Sequence, residues 1–303
     1  MGRSCFLDKD VVIDKEGKGI FQVITNYDTA RMGFVFAMLK YERNQSGLWR
    51  GYSRVLKNYG VHNLVKLPQK FEYQPCLDVS FPIVYSSEIG KHLKPEEGLD
   101  KVIKGRVKEE FSDVILSIVD TVGSSGLGIG GSILTGLYHG NSDIDVIVYG
   151  KRSLEVYFSM SLTPDKEWII ETSRNYGISL EQARELYDPR RRGIMMGKKV
   201  SVNFVDERTQ KLCDNVCVQK GKVSFEASVE KEQIEALFYP SIVKCDGSSD
   251  LKISEIVSYE GIFSSLLFNG GRFHVEGVLM ECDDGNKVII GDRNFRGNIR
   301  RVM

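Results

Sequence analysis

Three features are scarce in this chain of 303 residues. The first is charge imbalance. The 41 Lys and Arg residues offset the 41 Asp and Glu residues, so no global basic field points to nucleic acid and any polyanion binding has to be local. The second is long apolar runs. None approaches the roughly 20 residues that a membrane-spanning helix requires, and nothing at the amino end resembles a signal peptide, so a soluble cytoplasmic protein with no membrane partner is expected. The third is cysteine at zinc-finger spacing. Cys5, Cys76, Cys213, Cys217, Cys245 and Cys282 are scattered, and Cys213 and Cys217 would share a helix face without a second ligand pair to follow. All six are read as reduced thiols. The four histidines add little: His139 precedes an acidic pair, where it caps carbonyls or approaches a site, while His62, His92 and His274 have no partner visible in the sequence.

What is present is an ordinary globular composition, 42% hydrophobic and 27% charged, with length enough for two or three domains. The amino-terminal part reads as short strands: residues 4–13 and 19–26 flank the polar turn Asp14-Lys15-Glu16-Gly17-Lys18, and another strand follows from Met32. The stretch from Ser46 interleaves Trp49, Tyr52 and Tyr59 with Arg50, Arg54 and Lys57. It suits either a half-buried strand with a wet outer face or a surface that stacks and neutralises nucleic acid. Pro68, Pro75 and Pro82 punctuate an irregular passage out of this region. From Pro95, with Glu96 and Glu97 in the first turn, apolar residues at three- and four-residue spacing to Val122 predict one long amphipathic helix.

Beyond residue 150, helices are predicted from Ser153, from Asp165 to Tyr176, and after Ser179, with Gln182 at the capping-box position and Pro189 as the stop. Arg190, Arg191 and Arg192 come next. They can grip a triphosphate or polynucleotide backbone, or they compensate a helix dipole in solvent. The last hundred residues give five strand candidates, at 222–229, 237–243, 252–264, 272–281 and 287–291, and suggest a small barrel or sandwich, an OB-like barrel among the forms considered. The Arg-rich end around Phe295 is expected to be a fraying polar tail.

The most informative stretch runs from Gly128 to Gly150. Gly130-Gly131-Ser132 opens a short helix, ten residues separate Ser132 from Asp143, and Asp143-Ile144-Asp145 leads into Val146, Ile147 and Val148. Side chains alternate across a strand, so Asp143 and Asp145 share one face while Ile144 and Val146 enter a core. Two adjacent carboxylates suit Mg²⁺ bound together with phosphate oxygens, and a glycine-led helix start offers backbone N–H groups to phosphate.

The Gly-Ser pair, the spacing and the Asp-x-Asp with apolar flanks resemble the signature of the DNA polymerase beta superfamily of nucleotidyltransferases, over about residues 96 to 210. More broadly the chain resembles an uncharacterised archaeal group of predicted nucleotidyltransferases, in which a tract like Gly47-Leu48-Trp49-Arg50-Gly51-Tyr52, the same core and a β-rich tail occur together. The resemblance implies an α+β fold: a central polymerase-beta-like domain with mixed sheet and helices at 91–215, between β-rich domains at 1–90 and 216–303. It implies Mg²⁺ or Mn²⁺ on Asp143 and Asp145, an NTP substrate with its phosphates on Gly131 and Ser132, and RNA or DNA among the candidate partners. A third carboxylate, on a later strand, would complete the catalytic set. Here strand parity selects Asn203, a neutral and weaker ligand, and Asp206 reaches the site only if the strand bends or bulges. No arginine follows the Gly-Ser pair, where Ile133, Leu134 and Thr135 stand, so Arg191 and Arg192 are the candidate triphosphate cations. Two functions follow: Mg²⁺-dependent transfer of NMP from an NTP to an acceptor hydroxyl, or a catalytically silent protein that keeps the fold to bind nucleotide or nucleic acid.

Overall fold

The computed structural model describes residues 3–247 and 251–302. They form three sheets, taken in turn along the chain. The first is seven-stranded, and its long central strand Phe34–Arg43 is buried over most of its length. Val35 and Ala37 belong to one apolar cluster, Phe36 and Met38 to another. Both faces are therefore covered, which is why the strand reads as a continuous apolar run.

The second sheet is mixed. Its order is Arg192–Met195, Lys198–Val205, Ile144–Tyr149, Leu127–Ile129, with Lys198–Val205 parallel to Ile144–Tyr149 and the other pairs antiparallel. Ile144, Val146 and Val148 join Phe111, Ile115, Tyr157, Val202 and Phe204 in the main core. On the opposite face Ile147 and Tyr149 pack with Leu7 and Val205. The single long helix expected from Pro95 is instead two, Pro95–Ile103 and Glu109–Val122. Gly105 lies between them with φ +63°, a left-handed conformation that ends a helix and that glycine adopts readily. Asp165 and Ser179 cap the helices Lys166–Tyr176 and Leu180–Leu186. The Gln182 side chain does not close a capping box but bonds Asn298 and the Ile299 carbonyl.

The third sheet closes on itself. Cys217–Val229 pairs with both Ser241–Gly247 and Gly271–Cys282; Ser241–Gly247 pairs with Ile253–Ser258; Ile253–Ser258 runs parallel to Gly285–Ile290, which pairs back onto Gly271–Cys282. This ring is a five-stranded barrel. The helix Ser264–Phe268 follows Ile253–Ser258 in the chain, and its Phe268 ring meets Tyr157 at 4.6 Å between centroids, so barrel and second sheet share one core. The strand expected at 252–264 thus ends early and gives way to this helix. The predicted fraying tail is also replaced: Asn298–Arg301 is a strand on Gly271–Cys282, with Ile299 fully buried.

The cysteines are not all reduced. Cys76 is bonded to Cys213 and Cys217 to Cys282, leaving Cys5 and Cys245 free. The partners are 137 and 65 residues apart, and the Cys217 amide donates to the Cys76 carbonyl at 2.8 Å, so both bonds form where the first sheet meets the barrel. Thiol titration of the denatured protein without reductant is expected to find two free thiols per chain, and six would contradict the pairing. Removing Cys76–Cys213, which closes the longer loop, is expected to lower stability by about 2–4 kcal/mol in denaturant unfolding.

Candidate active site

A cleft of about 830 Å³ opens between the three sheets, with Gly131, Ser132, Asp143 and Asp145 on its wall. The acids stand at the amino end of Ile144–Tyr149, where the strand enters the sheet. Ile147 and Tyr149, on the same face as Asp145, are sealed by Leu7, so the strand's only polar exposure on that face is at its start. Asp145 also fixes the turn facing it: the Gly130 amide donates to its carbonyl at 2.8 Å. A Cβ on Gly131 would fall 2.0 Å from the Asp145 Oδ2. Gly131 has φ +58°, so a side chain there would meet both a strained backbone and the carboxylate. The helix Gly131–Thr135 is a single turn with no side-chain cap, so it offers amide N–H groups to a ligand but little macrodipole.

Asp143 lies nearer the mouth. Desolvation in the cleft, then the charge of Asp145, raises its pKa above the ordinary aspartate value, against the pull of Lys199, Arg54 and Arg192. Two adjacent carboxylates with room for phosphate oxygens are a donor set that Mg²⁺ accepts. The residues present therefore fit the ion.

The neighbouring strand is in parallel register, Ser201 opposite Asp145 and Asn203 opposite Ile147. Lys199, Ser201 and Asn203 line the cleft. Asp206 does not join them. It follows the last paired residue, Val205, so five residues of extended chain from Ser201 place it about 16 Å away at the other end of the sheet. Its carboxylate is held by Arg208 at 2.8 Å and its carbonyl by Asn26 at 2.6 Å. The strand neither bends nor bulges towards the acids. Among the described residues, no three His, Cys, Asp or Glu side chains converge to hold a metal ion.

The arginine triplet divides. Arg190 pairs with Asp188 at 2.9 Å and lies over the Tyr157 ring. Arg191 and Arg192 face the cleft, Arg191 bonded to Ser264 and Arg192 to Ser201 at 2.9 Å. Burial, then the neighbouring Arg192, pushes the Arg191 guanidinium down to about 10.

Sequence reasoning missed Lys40 and Glu260 on this cleft and placed Arg54 only within a basic, aromatic stretch. Lys40 and Arg54 come from the first sheet and face the acids. The signal for Lys40 was a lone cation inside an apolar strand. Glu260 is 1% exposed; its Oε1 accepts from the Val61 amide at 3.2 Å, while Oε2 has no partner among the described residues. Burial pushes its pKa up to about 7, against the Val61 bond, Arg296 and Tyr176.

Residues 103–212 match the family model for the nucleotidyltransferase domain, which supports transferase chemistry for this part of the chain. An uncharacterized protein of Methanocaldococcus jannaschii is 29% identical over 175 residues, covering 52% of this chain and 51% of that protein. The chain thus spans about half the length of the curated relative it matches. No solved structure matches the chain.

Two predictions follow from this geometry. Gly131→Ala is expected to lower stability by about 1–3 kcal/mol in denaturant unfolding, because the added methyl meets the Asp145 carboxylate at a left-handed backbone. Glu260 has a folded-state pKa above its unfolded value of 4.5. Its contribution to stability is therefore fully present below about pH 4.5 and lost as pH rises through about 7. Glu260→Gln should raise the Tm relative to the parent at about pH 8, by the equivalent of about 1–3 kcal/mol, and the gain should vanish near pH 5.

Proposed function

We propose, from the premise of a nucleotidyltransferase domain at residues 103–212, that the protein transfers a nucleoside monophosphate from an NTP to an acceptor hydroxyl with Mg²⁺ held by Asp143 and Asp145. The observation that carries this reading is the seating of the Asp145 carboxylate directly against Gly131. A phosphate received by the Gly131 and Ser132 amides would lie beside a metal on the acids, a juxtaposition that phosphoryl-group chemistry requires. When bound, the cation neutralises phosphate charge and favours in-line attack. The chain's own groups do the rest. The turn orients the phosphates, Arg191 and Arg192 flank them, and the barrel side of the cleft, with Glu260 and Tyr259, leaves room for the acceptor. In this reading residues 91–215 carry the chemistry, while 1–90 and 216–303 form domains that wall the cleft.

A second reading, a silent nucleotide or nucleic-acid binder, is favoured by one observation: the strand beside the acids presents Lys199, Ser201 and Asn203 to the cleft, and none is a carboxylate. Incubation with each labelled NTP, Mg²⁺ or Mn²⁺, and total RNA, DNA and protein separates the two. Transfer predicts label in one fraction, reduced at least about 100-fold by Asp143→Ala with Asp145→Ala. NTP binding without any labelled product would support the binder instead. Asp206→Asn is expected to leave labelling within a factor of about two, as for a substitution away from the site.

A further inference from the structure

The motif region supplies no cation next to the Gly-Ser turn, yet two enter from the first sheet. In the pairing of Gly19–Val23 with Phe34–Arg43, Ile20 faces Tyr41 while Phe21 faces Leu39. Lys40 is the extra residue of a β-bulge. A bulge re-aims a side chain and is enriched beside active sites. Here Leu39, Lys40 and Tyr41 are all buried in succession, and Lys40 is turned to the cleft. Arg54 stands on the adjoining strand, opposite Tyr41, and the Val55 amide donates to the Lys40 carbonyl at 3.0 Å. The two cations are thus neighbours on a stiff sheet.

Neither has a carboxylate within ion-pair distance among the described residues. The Lys40 Nζ donates to Gln22 at 3.0 Å, and the Arg54 Nε to the Leu56 carbonyl at 2.8 Å. Both lie near the Tyr59 ring, at 5.9 and 5.5 Å from its centroid. Burial disfavours their charge, and the Asp145 carboxylate across the cleft opposes that for both. A buried cation without a paired anion is costly, yet Lys40 is 7% exposed and stands with the half-buried Arg54 on the wall of the cleft.

We propose that Lys40 and Arg54 bind the β- and γ-phosphates of the NTP, and hence the pyrophosphate that leaves, so that the first sheet is an integral wall of the active site. This rests on the nucleotidyltransfer reading and goes beyond it in naming the diphosphate subsite. Charge-assisted bonds of this kind carry discrimination of about 10- to 100-fold.

The test is titration calorimetry of the full chain with Mg²⁺-pyrophosphate, with each Mg²⁺-NTP and with the matching NMP. Lys40→Met and Arg54→Gln should each weaken pyrophosphate and NTP binding about 10- to 100-fold and leave NMP binding unchanged, because an NMP lacks the two phosphates concerned. Lys40→Arg and Arg54→Lys should retain most of the affinity, which keeps the test decisive if a neutral variant does not fold. Unchanged pyrophosphate and NTP affinity in Lys40→Met, with NTP binding lost in Asp143→Ala plus Asp145→Ala, overturns the subsite and leaves the nucleotide reading standing. Equal weakening for NMP and NTP also overturns it, since the two side chains would then act only on the shape of the cleft. No binding of any NTP or pyrophosphate by the parent protein overturns both.

Discussion

The contact between the Asp145 carboxylate and the Gly131 backbone organises the cleft, because it ties the acid-bearing strand to the turn beside it without any intervening side chain. A Cβ at Gly131 would overlap the carboxylate oxygen, so the two come together only with glycine at that position. The strand that presents Asp145 is buried on both faces beyond its first residues. Close packing leaves such a strand little freedom to shift, and the carboxylate inherits that rigidity. A metal-binding or catalytic group held in this way loses little entropy when a ligand arrives.

Around this contact the three sheets contribute unequal chemistry. The second sheet supplies both acids and two arginines, the first sheet supplies Lys40 and Arg54, and the barrel side supplies Glu260 and a group of tyrosines. Anionic and cationic groups share one cavity, and burial there is visible in the raised Asp143 and the lowered Arg191. A ligand with both a bound cation and exposed phosphate oxygens relieves both at once, whereas a simple anion would relieve only one.

The parts of this picture that depend on local periodicity were legible in the sequence. Alternation placed Asp143 and Asp145 opposite Ile144 and Val146, and the same alternation put Asn203, not Asp206, on the cleft face of the neighbouring strand. Capping chemistry placed the helices that begin after Asp165 and Ser179. What was not legible depends on departures from periodicity or on contacts distant in the chain. Lys40 carries no motif of its own: it is a single cation in an apolar strand, and the groups it meets, Gln22 and Tyr59, lie outside that strand. The helix from Pro95 looks continuous because its apolar spacing survives across Gly105, where the backbone does not. The disulfides join segments up to 137 residues apart, and closing a barrel from Cys217 to Ile290 is a matter of pairing that composition cannot rank.

The missing third carboxylate is best understood through register. The parallel pairing places Ser201 beside Asp145, and Lys199 is close enough to Asp143 to lower its pKa. A carboxylate at either position would add a third negative charge beside Asp143 and Asp145. Lys199 instead reaches Glu167 at 2.8 Å, and Ser201 accepts from Arg192, so both positions are committed to placing cations along the cleft. The strand beside the acids thus presents a lysine and an arginine's partner to the cleft in place of a carboxylate, while across the cleft Glu260 keeps one oxygen without a partner among the described residues.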